Sequence, residues 1–401
     1  MTGASTNTQA STAPLAAITG PEHLRTLGSA IAVAPANSEE VAAILRFAHE
    51  NHCTVVPCGG GTKQGWGYPV VPAVVLQTHR LNALREHTWQ DMTCTVEAGC
   101  PWASMQSALA QHGQYVALDP LWPERATVGG IVATNDSGAL RLKYGGLRDL
   151  IIGMTVVLAD GTVAHTGGKV VKNVAGYDLH KLMIGAFGTL GVITSVNFRL
   201  HSIPRCTQSF TFSTPTAEPL GEWMLKLLHE QLSTLSIQLR GTAEGFHLDI
   251  QLASLPEVLR AQADLLQSLA RIEGLSGRGA DAAVWDARQQ QFAPDLVSKA
   301  TMLPSEIAPF AERVRGLGGE SVTQATGIMI AGFPAAAAEH LPQLRRALEE
   351  ASGSLVVLKQ PAERKIDCWG TAPDSLPLMR EIKRRFDPQG ILNPGRFLGG
   401  I

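Results

Sequence analysis

The chain has 401 residues, of which 45% are hydrophobic and 40 are glycine, so it is long enough to bury a large core and to form two domains. Its 33 basic and 35 acidic residues give a net charge of −2, which argues against electrostatic recognition of nucleic acid. Six cysteines without a C-x-x-C pair, together with unclustered histidines, argue against a metal or iron–sulfur site.

The first 20 residues are rich in serine, threonine and alanine, and they lack the charged start and apolar core of a signal peptide. This composition predicts a disordered tail. The sequence contains no run of about 18 apolar residues, so it predicts no membrane-spanning helix. We therefore expect a cytoplasmic protein, with any attachment to the inner membrane made through partner subunits.

The next elements form an α/β start. Residues 38–49 predict a helix, because Ser38 can cap its first turn and Val41, Ile44 and Leu45 share one face. Residues 53–57 follow as a strand. This strand delivers a glycine-rich loop to the edge of the predicted sheet.

That loop reads Pro-Cys-Gly-Gly-Gly-Thr-Lys over residues 57–63. Gly59, Gly60 and Gly61 carry no Cβ, so their backbone N–H groups can converge on an anion, and Thr62 adds a hydroxyl. The loop matches neither the G-x-G-x-x-G nor the Walker A pattern. It predicts a phosphate cradle, although an ordinary surface turn fits this motif alone equally well.

Further elements lie between residues 74 and 200. We predict strands at 74–77, 94–97 and 150–158 and a helix at 102–112. The run at 126–138 combines paired glycines, small residues and hydroxyls, which lets backbone pack against a flat ligand with polar edges.

Residues 205–340 predict a second domain. The predicted elements are a strand at 210–212, a helix at 220–232, strands at 235–239 and 247–252 and a helix at 255–272. This β-α-β-β-α order indicates a ferredoxin-like cap. Trp223 and Leu227, at i, i+4 spacing, fit either the cap's own core or a contact with a partner. The chain therefore divides into a tail at 1–20, a first domain at 21–204, a cap at 205–340 and a C-terminal segment at 341–401 that returns to the first domain.

Five motifs in this order resemble one known family. They are the runs at 57–63, 126–138, 176–179 and 188–194 and the C-terminal Phe-Asp-Pro-Gln-Gly-Ile-Leu-Asn-Pro-Gly-Arg-Phe at 386–397. They resemble the FAD-binding fold of the vanillyl-alcohol oxidase and p-cresol methylhydroxylase (PCMH) type, and most specifically the FAD-binding E subunits of bacterial glycolate oxidase. The resemblance implies an α+β fold class, with a two-part PCMH-type FAD-binding fold and a ferredoxin-like α+β cap.

The resemblance also implies cofactor-binding residues. The backbone of Gly59, Gly60, Gly61 and Thr62, flanked by Cys58 and Lys63, would hold the pyrophosphate. The remaining candidates would line the ribityl chain and ring, meet the adenine or approach the ring edge; they are Thr127, Gly130, Thr134, Ser137, Val192, Asn393 and Arg396. We expect Gly60→Val to abolish binding by filling the space of the pyrophosphate.

Two departures from the family shape the functional expectation. Covalent relatives carry a histidine after the glycine pair, whereas Thr62 and Lys63 stand here, which implies non-covalent FAD. The cap histidines are His229, His247 and His340, and none has the family's metal-binding setting. We therefore expect no bound metal and assign no catalytic residue.

Three functions remain open. The first is an FAD-binding subunit of a glycolate dehydrogenase complex, beside a related FAD-containing catalytic subunit and an iron–sulfur subunit. In the second, the chain is a self-sufficient FAD dehydrogenase for a 2-hydroxy acid of the D-lactate type, using Lys172, Tyr177 or Arg288. The third is a flavin-binding scaffold without turnover.

Overall fold

The computed structural model describes residues 10–168, 178–362 and 365–401. The described residues group into two compact units. Of the described residues, the first unit comprises 10–137, 146–168, 178–202 and 371–401, and the cap unit comprises 138–145, 203–362 and 365–370. Within the described ranges, every helix is too short or too polar to cross a membrane.

Strands and helices alternate irregularly up to residue 202. The strands are β1 (Leu24–Leu27), β2 (Ala30–Val33), β3 (Val55–Cys58), β4 (Val74–Gln77), β5 (Leu84–Thr88), β6 (Thr93–Glu97), β7 (Gln114–Tyr115), β8 (Ile151–Val157), β9 (Val163–Gly167), β10 (Val192–Arg199) and β11 (His201–Ser202). The helices are α1 (Thr12–Thr19), α2 (Ser38–Glu50), α3 (Trp102–Ala110), α4 (Val128–Thr134), α5 (Arg141–Tyr144), α6 (Leu147–Leu150) and α7 (His180–Met183).

The first sheet has the order β1-β2-β4-β3, with β2, β4 and β3 parallel. Helix α2 packs its apolar face into the same core. Its N-cap is Asn37, not the predicted Ser38, because the Asn37 side chain accepts the Glu40 N–H at 2.8 Å. The strand order places β3 at the edge of this sheet, and the glycine-rich loop begins where β3 ends.

The second sheet has the order β5-β6-β10-β8-β9 and is antiparallel throughout. Strand β10 lies at its centre, and helices α3 and α4 contribute to its core. The predicted strands at 74–77, 94–97 and 150–158 are thus present, but the last two lie in a different sheet from the first.

The prediction of a disordered tail over residues 1–20 is wrong for its last part. Residues Thr12–Thr19 form helix α1, and the Leu15 side chain is fully buried in the core of the first sheet. The composition of this segment does not predict a helix. Burial of the apolar Leu15 side chain against the core stabilises the helix instead.

The cap unit contains a second, larger set of elements after residue 203. Its strands are β12 (Cys206–Thr214), β13 (Thr234–Gly241), β14 (Phe246–Ser254), β15 (Gly277–Ala280), β16 (Leu296–Thr301), β17 (Glu320–Gln324), β18 (Ile328–Phe333) and β19 (Ser354–Lys359). Its helices are α8 (Glu218–Leu227), α9 (Pro256–Ile272), α10 (Ala287–Gln290), α11 (Ile307–Gly316) and α12 (Leu341–Glu350). Helix α13 (Leu376–Phe386) follows and belongs to the first unit.

The cap sheet is two ferredoxin-like halves side by side. Its order is β15-β12-β14-β13-β17-β18-β16-β19, so each half shows the β-α-β-β-α-β pattern with its fourth strand outermost. The halves join through the antiparallel pair β13–β17. The predicted cap boundary at residue 340 is therefore too early, because β19 completes the second half by pairing with β16.

Trp223 lies in the core of the cap unit. Only 2% of the residue is exposed, and its ring packs edge-on against Phe212 with centroids 4.5 Å apart. Leu227 is buried in the same core. The alternative that these two side chains form an outward partner contact is excluded.

Candidate functional site

A cleft of about 810 Å³, including its solvent-open part, lies entirely within the first unit. Its walls come from the loop after β3, the start of α4, the segment after α7, the start of β10 and the C-terminal segment. Twelve of the predicted cofactor-binding residues line it: Cys58, Gly59, Gly60, Gly61, Thr62, Lys63, Thr127, Gly130, Thr134, Val192, Asn393 and Arg396.

Each of the three loop glycines is required at its position for a different structural reason. A Cβ on Gly59 would lie 2.1 Å from Thr127 Oγ1, and one on Gly60 would lie 1.8 Å from the Arg125 carbonyl oxygen. Gly61 has a φ of +70° and would meet nothing within 4 Å. The expected reason for Gly60 is therefore wrong, because its Cβ would collide with protein backbone; Gly61 is the glycine that faces open space.

Thr127 presents a buried hydroxyl beside this loop. Its Oγ1 has no hydrogen-bond partner in the described chain, although the residue precedes α4 at the position of an N-cap. Leaving a buried hydroxyl unsatisfied costs roughly 1–3 kcal/mol. The orphaned hydroxyl and the glycine cradle fit a ligand that brings hydrogen-bonding oxygens, such as the phosphates and ribityl chain of FAD.

The Lys63 side chain does not end among the phosphate-cradle amides. Its Nζ lies 3.1 Å from Asp136 Oδ2, with 5% and 3% of the two side chains exposed. The rings of Trp66 and Trp122 also flank this ammonium, at 5.7 and 5.4 Å from their centroids. Asp136 in turn accepts the Leu121 N–H at 2.8 Å. The ion pair anchors the end of the loop to the segment that follows α4.

Arg396 holds the same loop from the C-terminal side. Its guanidinium donates to Gln64 O at 2.6 Å, to Gln64 Oε1 at 2.8 Å and to Trp66 O and Lys63 O at 3.3 Å. Burial lowers the pKa of Arg396, opposed by the nearby Cys58. Arg396 therefore orders the loop backbone, and its side chain is 332 residues from its main partner in the sequence.

Asn393 fixes the neighbouring wall of the cleft. Its backbone has a left-handed φ of +43°, and its Nδ2 donates to Phe187 O at 2.7 Å. Its backbone N–H donates to Val55 O at 3.0 Å, so the C-terminal segment extends the edge of β3. Asparagine tolerates this conformation better than most residues.

Cys58 is half-buried at the cleft and close to Gln64. Burial raises the pKa of its thiol, and a hydrogen bond with Gln64, the Arg396 charge and the Gly61 backbone oppose that shift. A thiol with a raised pKa is a weak nucleophile at neutral pH. Its small side chain fits its place in the wall.

Helix α4 and the segments near it supply three further predicted positions. Thr134 Oγ1 donates to Gly130 O at 2.8 Å, so its hydroxyl is engaged within the helix while the residue lines the cleft. Ser137 is buried three residues beyond and does not line the cleft. Val192, at the start of β10, lies in the wall as predicted.

Sequence reasoning missed several lining residues. Gln64, Thr78, Ala98, Gly129, Phe187 and Gly188 also line the cleft. Gly129 could have been found, because it belongs to the glycine pair at 129–130. Thr78 and Ala98 follow two predicted strands but carry no motif of their own.

Of the three residues named for the self-sufficient alternative, the structure describes only Arg288. Lys172 and Tyr177 lie outside the described residues, as does Gly176 of the motif at 176–179. Arg288 is buried in the cap unit on α10. Within the described residues, no group of three or more histidine, cysteine and acidic side chains could hold a metal.

Two stretches of the chain match known protein families. Residues 29–167 match a family described as an FAD binding domain, and residues 369–397 match the C-terminal domain of FAD linked oxidases. The two matches include the glycine-rich loop, the start of α4 and the C-terminal Asn393 and Arg396.

Curated relatives share parts or most of the chain. A D-lactate dehydrogenase of Archaeoglobus fulgidus is 29% identical over 91% of this chain and 90% of its own length. The glycolate oxidase subunit GlcD of Bacillus subtilis is 38% identical over 43% of this chain and 37% of its own.

Solved structures confirm the predicted fold. p-Cresol methylhydroxylase superposes with a TM-score of 0.74 at 16% identity, covering 96% of this chain and 95% of the other. 4-Ethylphenol oxidase from Gulosibacter chungangensis superposes with a TM-score of 0.75 at 15% identity, with the same coverage.

Proposed function

We propose that this chain is the FAD-binding subunit of a glycolate dehydrogenase complex. The match of residues 29–167 to an FAD binding domain, the match of residues 369–397 to the C-terminal domain of FAD linked oxidases and the PCMH-type fold support this proposal. In this complex glycolate is oxidised to glyoxylate and the electrons pass to an iron–sulfur subunit. The observation that carries the proposal is the cleft, which is lined by the glycine-rich loop, by Thr127 with its unpaired hydroxyl, and by Asn393 and Arg396 of the C-terminal segment.

The chain's own residues would bind and orient FAD non-covalently. Backbone N–H groups of Gly59–Thr62 would hold the pyrophosphate, and Thr127 Oγ1 would bond an oxygen of the cofactor. Arg396 and the Lys63–Asp136 pair would keep the loop in the shape that this requires. When bound, FAD supplies reversible acceptance of two electrons, which amino-acid side chains do not provide.

The cap favours a subunit that depends on a partner for substrate oxidation. Its strand histidine, His247, is engaged at both ring nitrogens, with Ser213 Oγ at 2.8 Å from Nδ1 and Thr242 Oγ1 at 3.3 Å from Nε2. Burial also lowers the pKa of His247. An imidazole held in this way is poorly placed to accept a substrate proton or to bind a metal. A related FAD-containing subunit would then carry the substrate site.

A single-chain dehydrogenase of the D-lactate type is the second candidate. It is favoured by the match over nearly the whole length to the D-lactate dehydrogenase of Archaeoglobus fulgidus. In this case the chain alone would oxidise a 2-hydroxy acid.

The decisive experiment mixes purified, FAD-loaded chain with glycolate or D-lactate without oxygen and follows flavin absorbance. The proposal expects no bleaching by the chain alone and bleaching after co-expression with the partner subunits. Rapid bleaching of the isolated chain by D-lactate would establish the second candidate. A flavin that stays oxidised even in the assembled complex would instead indicate a scaffold.

Acid precipitation of the same sample tests the mode of attachment. We expect all flavin colour in the supernatant, because no histidine or tyrosine is among the residues that line the described cleft. Colour that remains on the precipitated protein would contradict non-covalent binding.

A further inference from the structure

A buried lysine on helix α13 connects two segments of the cleft wall without lining the cleft itself. Lys383 Nζ donates to Thr189 O at 2.7 Å and to Leu392 O at 2.9 Å, and it pairs with Asp387 Oδ2 at 2.6 Å. An ammonium has three N–H donors, so each of them has an acceptor here. Lys383 itself does not line the cleft.

Asp387 completes the arrangement from the other side. Its carboxylate accepts the Ile391 N–H at 3.0 Å and the Leu392 N–H at 2.8 Å, and its side chain is fully buried. Burial lowers the pKa of Lys383, and Asp387 opposes that shift. The pair thus closes the turn that leads into Leu392 and Asn393.

The two carbonyls that Lys383 holds each adjoin a lining residue. Thr189 follows Gly188, and Leu392 precedes Asn393, and both neighbours line the cleft with positive φ angles of 68° and 43°. Asn393 Nδ2 lies 3.1 Å from the position of a Cβ on Gly188. The Asn393 side chain therefore packs directly against the segment that contains Gly188, and a small shift of either segment would change the shape of the wall.

We propose that Lys383 is a positioning residue for the cofactor, which sets FAD affinity by fixing the Gly188 and Asn393 segments at their mutual distance. An apolar side chain of similar length could fill the same space. It could not hold two carbonyl oxygens within hydrogen-bond distance of one atom. Lys383 therefore fixes the distance between two backbone segments of the cleft wall, in addition to filling space in the core.

The main test compares the full-length double variant Lys383→Met/Asp387→Asn with Ile382→Ala. The double change removes the ammonium without leaving a buried, unpaired carboxylate. Ile382 is the matched control, because it lies on the same helix and packs against the core of the second sheet. FAD dissociation constants come from fluorescence titration of apo-protein, and melting temperatures and flavin absorption spectra are recorded in parallel.

We expect the double variant to bind FAD at least about tenfold more weakly than Ile382→Ala. Each titration is run at the same interval below the melting temperature of the apo-protein concerned, so that a difference in stability does not account for the difference in affinity. The absorption bands of the flavin that remains bound should also shift. Equal affinities and equal spectra for the two variants would overturn the proposal and leave Lys383 with a packing role only.

Lys383→Arg decides the outcome if the double variant does not fold. It keeps a positive charge beside Asp387, but its planar, longer head cannot reproduce both carbonyl contacts from one atom. We expect a folded protein with about threefold weaker FAD binding. Affinity within the error of the wild type would overturn the proposal.

The inference rests on FAD as the ligand of the cleft, which belongs to the proposed function. A wild-type chain that binds no FAD would defeat that premise. Wild-type binding with unchanged variants would defeat only the role of Lys383, and the glycolate experiment is independent of both.

Discussion

Two adjacent glycines of the phosphate cradle should respond differently to the same substitution. Gly60→Ala places a methyl group 1.8 Å from the Arg125 carbonyl oxygen, which is backbone and cannot swing away. Gly61→Ala places a methyl group in open space but at a φ of +70°, where side chains are disfavoured. The first change acts on the fold, and the second acts on the conformation that the ligand requires.

The magnitudes follow from these geometries. A collision of this kind is an overpacking error that costs about 1–3 kcal/mol, or a fall of about 2–12 °C in the melting temperature of a unit of this size. In the Gly61→Ala variant, holding the left-handed conformation costs roughly 1–2 kcal/mol. Because the exposed loop can relax when no ligand is bound, we expect this cost at binding, as an increase of about 5- to 30-fold in the FAD dissociation constant.

The assay uses apo-proteins, with melting temperatures from scanning fluorimetry and FAD affinities from quenching of flavin fluorescence. Gly28→Ala is the matched control, because Gly28 has a φ of +61° and an equally open Cβ direction in the β1–β2 turn, away from the cleft. It should change stability but not FAD affinity. The reasoning is refuted if Gly61→Ala binds FAD within twofold of the wild type, or if Gly60→Ala melts at the wild-type temperature.

Three further predictions follow from single buried side chains. Thr127→Val should leave apo-protein stability unchanged or slightly higher and weaken FAD binding about 5- to 10-fold, because it removes an orphaned hydroxyl that only the ligand satisfies; titration and thermal melts check both. Burial lowers the pKa of His180, so the folded chain binds fewer protons than the unfolded chain and loses stability as the pH falls below about 6.5; His180→Phe should flatten the slope of melting temperature between about pH 7.5 and 5, and an unchanged slope would contradict this. Trp223→Ala should destabilise the cap unit by about 3–5 kcal/mol in denaturant titrations, and a loss below about 1 kcal/mol would be inconsistent with its packing against Phe212.

The site shows how far local signals reach. The loop at 57–63 and the run at 126–138 were identifiable because clustered glycines and small residues indicate tight turns and close backbone approach directly from the sequence. Twelve of the thirteen predicted residues line one cleft, but those outside the loop at 57–63 were assigned from the family resemblance. Ser137 does not, because the turn after α4 carries it into the interior and no local pattern specifies that direction.

The amino-acid sequence by itself determined the helices and strands with clear periodicity, the glycine cradle and the family resemblance. Tertiary structure alone decided that β4 and β6 belong to different sheets, that β19 completes the cap and that Leu15 is buried. It also decided that Lys63 ends on Asp136, that Arg396 holds Gln64 across 332 residues and that Lys383 holds Thr189 across 194. Backbone preference depends on neighbours in the chain, whereas a buried charge ends where folding places an acceptor, and that acceptor lies far away in the sequence.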